Sequence, residues 1–535
     1  MKRCWGGVLF LVMLAMCFFG CSGKEEHGQL SESKETWKKY KDIPVTLEWY
    51  INYSWYTTPW GQNVVSKAIT AETGVTIKFV TPKGNEMQKV KSMIASDTLP
   101  DLITLGWWEK DIQTMITEGM VYPLNQLADQ YDTYFYNVAN GEVIRWYTEE
   151  DGNLYCYPNS ASTYLDFVNG RSIGSNQNFL VRKDIYEAIG SPDMTTPEGF
   201  LEAIVKAVEL YPTVEGYPLI PIGSDAFNAT GCNSFDKYLF SFLAIPYEKD
   251  GKYNDRYLDE EYIRWLKAFR EMNELGYLSN EIFIDTRAQL EEKMAEGRYF
   301  CLLYQGSDIQ TPQKILYDKN PDSIYIAVDG PKNSKGGDPV LPNIGINGWT
   351  VTLVSKNCKE PERAIAFLSY LLSDEGQKMT YLGVEGSMYE EVNGSYIRNP
   401  EVEELLEKNR TEYDKIYGAD NAYWMLQDNV RQEKWFVDTD DIMASLKEWT
   451  IPYTEYTCQY DILLQQDTPL ANLKNKIDEE WGKTLPLLLL ADSEEEFDRE
   501  LEAYRKKKYD LGFDRLLEEY TKRMEESKKK LGILQ

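Results

Sequence analysis

The chain has 535 residues, a formal net charge of −29 and one histidine, His27. So acidic a surface argues against nucleic acid or anionic lipid as a ligand. The single histidine excludes Ser-His-Asp and Cys-His nucleophile systems, H-E-x-x-H zinc sites and histidine bases elsewhere in the chain, and the lack of a G-x-x-x-x-G-K-[ST] motif argues against an ATPase.

Residues 1–20 open with Lys2 and Arg3, continue as a short apolar run and end at Gly20 before Cys21, the pattern of an export leader. Phe18-Phe19-Gly20-Cys21 resembles the bacterial lipobox, with Phe18 where that pattern prefers leucine; Cys17 is the poorer candidate because bulky Met16 precedes it. The resemblance implies acyl chains, palmitate among them, on Cys21, and more than one chain gives stable anchoring. An uncleaved membrane helix is the alternative, but the apolar run falls short of the roughly 20 residues a span needs. Residues 21–41 are polar and read as a tether. Loss of Lys2 and Arg3 takes the mature charge from −29 to −31. The remaining length of about 500 residues favours at least two lobes. Cys156, Cys232, Cys301, Cys358 and Cys458 are odd in number and scattered, so buried free thiols are expected rather than a disulfide framework.

From Val45 the pattern is regular. "VTLEWYIN" alternates Val45, Leu47, Trp49 and Ile51 with polar neighbours, a strand; the helix after it carries Val64, Val65, Ala68 and Ile69 and stops at Gly74. "VTIKFV" is a second strand, residues 85–96 a helix with Met87, Val90, Met93 and Ile94 inward, and "DLITL" a third strand. A third helix bears Ile112, Met115 and Ile116 and stops at Gly119. This alternation predicts a parallel sheet with right-handed crossovers, whose ligands bind beyond the carboxyl ends of the strands. Two such ends run into aromatics: "YSWYTTPWG" brings Tyr53, Trp55, Tyr56 and Trp60, and "GWWEK" brings Trp107 and Trp108.

"GRSIG", Gly170 to Gly174, imitates a nucleophile elbow, but no histidine exists to activate Ser172, so a loop or hinge is the better reading. A second unit begins near Asn178 with a strand and helix. Thr195 and Glu198 match a capping box before Phe200, Ile204, Ala207 and Val208. Residues 260–276 form an amphipathic helix with Tyr262, Trp265, Leu266, Phe269 and Met272 on its core face. "RYFCLLY" is a strand ending at Tyr304-Gln305-Gly306, and residues 347–376 pair a strand with a helix striped by Ala364, Phe367, Leu368, Leu371 and Leu372. Beyond 395 the chain reads as charged helix, closing with one amphipathic helix over 494–531.

Four stretches together carry a family likeness. "TLPDLITLGWWEKDIQTMITEGMVYPLNQLADQY", "NFLVRKDIYEAIG…TTPEGFLEAIVKAV", "AEGRYFCLLYQGSD" and "NGWTVTLVSKNCKEPERAIAFLSYLLSDEGQKMTYLGVEGSMYE" resemble successive regions of the extracellular solute-binding proteins of carbohydrate ABC importers, in their long lipoprotein branch. The likeness covers most of residues 45–390. It implies an α/β, two-lobed periplasmic-binding-protein-like fold closing on a hinge, with a helical C-terminal region. Lobe 1 is expected over 42–165 with a return segment at 325–380, lobe 2 over 175–320, and residues 381–535 mainly on lobe 2. It further implies a monomer on the extracytoplasmic face of the cell membrane that performs no chemistry, needs no cofactor, and passes an oligosaccharide to permease subunits.

A pyranose suits aromatic strand ends, since its C–H face lies on a ring while its hydroxyls need polar partners. Trp107 or Trp108 supplies a platform, one facing the cleft and the other packing inward. Glu109 and Asp111 are candidate hydroxyl acceptors. Tyr53, Trp55 and Asp225 are further candidates, and the family segments add Tyr304 and Trp349; against each aromatic stands a place in the core. A glycoside hydrolase or lyase using paired carboxylates, or the same fold binding peptide or ferric ion, is the alternative, and calcium near the acidic 437–441 stretch is a further option.

Overall fold

The computed structural model describes residues 34–169, 174–435, 442–465 and 468–533. The leader, Cys21, His27, Ser172 and the 437–441 stretch lie outside the described residues.

Lobe 1 is built on β1 (Val45–Ile51), β2 (Val75–Val80), β3 (Leu102–Gly106) and β4 (Cys156–Pro158). β1 runs parallel to β2, with Val45 opposite Val75, and to β3, with Trp49 opposite Leu102. Lobe 2 follows with β5 (Gln177–Arg182), β6 (Ile220–Gly223), β7 (Tyr299–Gln305) and β8 (Tyr325–Ala327), in the order β8-β5-β7-β6. The chain then returns, and β9 (Thr350–Val354) inserts between β3 and β4 to complete the order β2-β1-β3-β9-β4.

The first three strands are parallel as expected, but both sheets are mixed. β9 is antiparallel to β3, with Thr350 opposite Gly106, because the returning chain enters lobe 1 at the edge facing the other lobe and runs away from it. β5 enters lobe 2 the same way and is antiparallel to β7 and β8. Tyr325–Ala327 therefore belongs to lobe 2, and the return to lobe 1 starts later than residue 325.

Helices cover both faces of the lobe 1 sheet, so β1 is buried on both sides rather than one. Leu47, Trp49 and Ile51 join one cluster, while Tyr50 joins Val90, Met93, Ile103 and Leu105 on the other face. The first helix runs Val64–Thr73, capped by Asn63 and stopped at Gly74, whose φ is 69° and whose Cβ would sit 2.5 Å from the Tyr40 carbonyl. The Pro361–Leu372 helix, expected to carry one apolar stripe, is buried all round from Arg363 to Leu372. In lobe 2 the Pro197–Leu210 helix is capped by Thr196, one residue beyond the expected Thr195; Pro197 favours the first helical position, which fixes the cap before it. Trp265 is fully buried, as the helical spacing indicates.

Two expectations about the chain ends change. Thr36–Tyr40 forms a 3₁₀ turn with Trp37 buried edge-on against Tyr134 and Tyr370, at 5.2 and 5.5 Å between ring centroids, so the ordered body begins before residue 41. One indole offers enough apolar area to dock an otherwise polar segment. The C-terminal region, expected mainly on lobe 2, divides. Val402, Tyr413, Tyr423, Trp424 and Leu426 pack in the lobe 1 core, whereas Trp481, Leu485, Leu488, Phe497 and Tyr504 pack in lobe 2. The last helix is two, Glu494–Leu511 and Phe513–Leu531, broken at Gly512 with φ 103°.

The segments crossing between lobes are tied together. Leu341–Pro342 pairs in parallel with Thr454–Glu455, Ser175 Oγ donates to the Pro342 carbonyl at 2.7 Å, and Thr450 Oγ1 donates to the Ser175 carbonyl at 3.1 Å.

Candidate functional site

The ends of β1 and β3 and the start of β9 lie at one edge of the lobe 1 sheet, and aromatics follow each. The ring centroid of Tyr53 lies 5.3 Å from those of both Trp55 and Trp349. Trp55 is stacked on Trp349 with planes 6° apart and centroids at 6.2 Å. Trp424, from the C-terminal region, backs Trp349 at 4.5 Å. Trp55 is nevertheless 56% exposed. The cluster thus has a buried foundation and an open face, the form of a platform for a flat apolar ligand surface.

Trp107 continues this edge: its backbone N–H donates to the Trp349 carbonyl at 3.3 Å. Trp107 packs on the cluster containing Tyr50 and Ile103, while Trp108 is 43% exposed and meets Trp107 edge-on at 6.0 Å. Gly106 makes this possible. A Cβ at 106 would lie 2.7 Å from Trp108 ring carbons, so only glycine lets the indole fold back over the strand end.

Both tryptophans and Glu109 line a cavity of ≈870 Å³ between lobe 1 and the C-terminal helices, with Trp146, Asn347 and Asp461 among its other walls. Burial, with Asp111 and Glu86 nearby, raises the Glu109 carboxyl above its ordinary range. Asp111 opens the Asp111–Thr117 helix, where the helix dipole favours an acid, but it is only 6% exposed and does not line the cavity; burial raises its carboxyl too. Asp461 accepts from Asn347 Nδ2 at 3.1 Å.

At the facing edge of lobe 2 the chemistry is polar. Gln177, Ser224, Asp225 and Gln305 stand at or just beyond strand ends. The buried atoms Gln177 Oε1, Asn178 Oδ1 and Ser224 Oγ have no hydrogen-bond partner among the described residues, and neither has the Tyr53 hydroxyl of lobe 1. Asp225 is half-buried and engaged with its own loop, accepting from the Ala226 N–H at 2.8 Å and from Asn233 Nδ2 at 2.7 Å.

Tyr304 stands apart from the other candidates. It is 1% exposed and packed with Leu180, Leu302 and Tyr325 beneath the lobe 2 sheet. Side chains alternate along a strand, and Gln305, which accepts from the Tyr238 hydroxyl at 3.4 Å, occupies the strand end instead. Trp424, Trp146 and Asp461 were missed in the sequence because they lie in stretches without strand-end periodicity; Asn347 was missed although it stands two residues before Trp349, just ahead of β9. Among the described residues no three His, Cys, Asp or Glu side chains come together to hold a metal ion, and no helix is long and apolar enough to cross a membrane. The five cysteines are buried and unpaired.

The family model for bacterial extracellular solute-binding proteins matches residues 65–403. The Bacillus subtilis (strain 168) lipoprotein LipO is 22% identical over 419 residues, covering 74% of this chain and 75% of its own length. Among solved structures, the S. pneumoniae ABC-transporter substrate-binding protein FusA in complex with kestose superposes with a TM-score of 0.68 at 16% identity, covering 91% of this chain and 100% of that one. An HMO-binding, ABC-transporter-associated solute-binding protein from Bifidobacterium longum infantis ATCC 15697 gives 0.65 at 13% identity, covering 90% and 99%. At these identities the two structures speak for the two-lobed fold alone.

Proposed function

The chain belongs to the bacterial extracellular solute-binding proteins, and on that premise we propose that it captures an oligosaccharide outside the cytoplasmic membrane and delivers it unchanged to the permease subunits of an ABC importer. The observation that carries the reading is the aromatic platform of Tyr53, Trp55 and Trp349, backed by Trp424 and open to solvent at Trp55. A sugar ring laid on it covers an apolar face, while the unpartnered amide and hydroxyl groups of lobe 2 answer its hydroxyls. The lobes would close on the ligand about the tied crossing segments.

Two solved relatives in fold bind kestose and HMO, which favours an oligosaccharide over peptide or metal. Cys21 is the proposed lipid attachment point and residues 1–20 the leader; the likeness to a lipoprotein of Bacillus subtilis supports this placement. The test is a thermal-shift screen of the purified protein against oligosaccharides, amino acids, peptides and metal ions. Ligand at about 100 times its Kd stabilises by roughly 2.7 kcal/mol, a readable rise in Tm. A rise with one glycan family is expected; a rise with peptide or metal only would overturn the carbohydrate reading while leaving the family intact.

A further inference from the structure

Beside the platform lies the ≈870 Å³ cavity walled by lobe 1, the start of the Pro469–Leu489 helix and the end of the last helix. We infer that this cavity holds further sugar residues of the same ligand and selects a glycan without acidic groups, one that presents hydroxyl or amino hydrogen-bond donors. The inference rests on the oligosaccharide reading above and narrows it.

The cavity is a second aromatic site, distinct from the Trp55 platform but joined to it through the Trp107–Trp349 backbone bond. Trp108 presents one indole and Trp146 another. Trp146 is held in place: its Nε1 donates to Asn347 Oδ1 at 2.8 Å, Asn347 Nδ2 donates to Asp461 Oδ2 at 3.1 Å, and the Tyr147 hydroxyl donates to the Asn347 carbonyl at 2.6 Å. Asn347 is thus a positioning residue for the indole, fixed from both sides. Lys530 Nζ, 5.5 Å from the Trp146 ring centroid, donates to the Thr148 carbonyl at 3.2 Å, and Lys110 donates to Asn475 at 2.9 Å, so bonds span the cavity wall from lobe 1 to the C-terminal helices.

The charge around these indoles sets the selectivity. Glu109, Glu149, Glu150, Asp151, Asp461 and Glu526 line the cavity against Lys110, Lys474, Arg523 and Lys530. Two of the four cations are already neutralised by acids outside the lining, Lys474 by Asp478 and Arg523 by Glu519, and one of the six acids, Glu526, by Lys522 outside it, which leaves five acids against two cations. The side chains of Glu109 and Glu149 make no hydrogen bond or ion pair among the described residues; burial raises the Glu109 carboxyl, while Glu149 is exposed, with the Lys530 charge acting on it. They are acceptors in want of donors. A sugar hydroxyl or amine satisfies them, whereas a uronate or sulfate adds a like charge where desolvation already disfavours one.

The test is affinity chromatography of the purified protein against three size-matched oligosaccharide series: neutral gluco- and fructo-oligosaccharides, de-N-acetylated chito-oligosaccharides, and oligouronates. Binding is expected in the neutral or the amino series, those two arms telling hydroxyl from amine recognition, with the acidic counterpart at least ten-fold weaker. The Glu109→Gln/Glu149→Gln double variant should narrow that gap several-fold, and Asn347→Ala should weaken the longer members of the bound series more than the shortest. An oligouronate bound as tightly as its neutral counterpart overturns the inference alone. Failure of all three series overturns the oligosaccharide reading beneath it and the inference with it.

Discussion

The two lobes bring different chemistry to the edges where their sheets end. Lobe 1 presents area: Tyr53, Trp55, Trp107, Trp108 and Trp349 follow or precede three strand ends, and their rings rest on one another or on the core. Lobe 2 presents polar atoms: Gln177, Asn178, Ser224 and Asp225, several of them buried without a partner. Neither half alone suits a sugar. Stacking without hydrogen bonds leaves hydroxyls unpaired, and hydrogen bonds without an apolar surface forfeit burial of the C–H face. On the proposed reading lobe 1 takes the ligand first and lobe 2 completes the site on closure.

That division can be broken one residue at a time. The largest expected effect is on stability and not on binding: Tyr304→Ala removes a buried ring from under the lobe 2 sheet and should cost about 3–5 kcal/mol in denaturant unfolding, with little change in the affinity of the folded fraction. Asp236 is next. Buried in lobe 2, it accepts from Trp481 Nε1 and from the Cys232 N–H, each at 2.6 Å, joining the Pro469–Leu489 helix to the strand-end region. Asp236→Ala leaves two buried donors unpaired and should destabilise by about 2–4 kcal/mol. Burial also pushes the Asp236 carboxyl up to about 7. The folded chain therefore holds this proton between about pH 4 and its raised value, where the unfolded chain has already released it. The group contributes most to stability at or below about pH 4, and that contribution declines as pH rises to about 7. Asp236→Asn should remove this part of the slope of Tm against pH.

Trp55→Ala reverses the pattern of Tyr304→Ala. The side chain is largely exposed, so stability should change by less than about 0.5 kcal/mol, while glycan affinity falls about 10–100-fold, or roughly 1.4–2.8 kcal/mol. The smallest effect is expected from Gly106→Ala, which pushes the Trp108 indole off the strand end without removing it. Affinity should fall several-fold, to the level of Trp108→Ala, with Tm nearly unchanged.

Much of the fold was legible because its elements carry local signals. The alternation of Leu47, Trp49 and Ile51, the stops at Gly74 and Gly119, and the face from Tyr262 to Met272 mark elements that form where the sequence places them. Strand direction was not legible: β9 looks like any apolar strand, and only its return from lobe 2 makes it antiparallel. The C-terminal region was misjudged because helical periodicity tells which face is buried but not against which lobe, so Trp424 could not be assigned to the platform. Among the candidates just past a strand end, Trp55 and Trp108 are exposed at the edge of the sheet. Tyr304, one residue short of its strand's end, points into the core, and a period of two decides between the outcomes.

The most direct measurement is a calorimetric titration of the wild-type protein and of Trp55→Ala with the glycan that most raises Tm. The account predicts a saturable heat for the wild type, a loss of affinity of at least ten-fold in Trp55→Ala, and equal Tm for the two proteins without ligand. Equal affinity in the two would contradict it, since the platform would then take no part in binding.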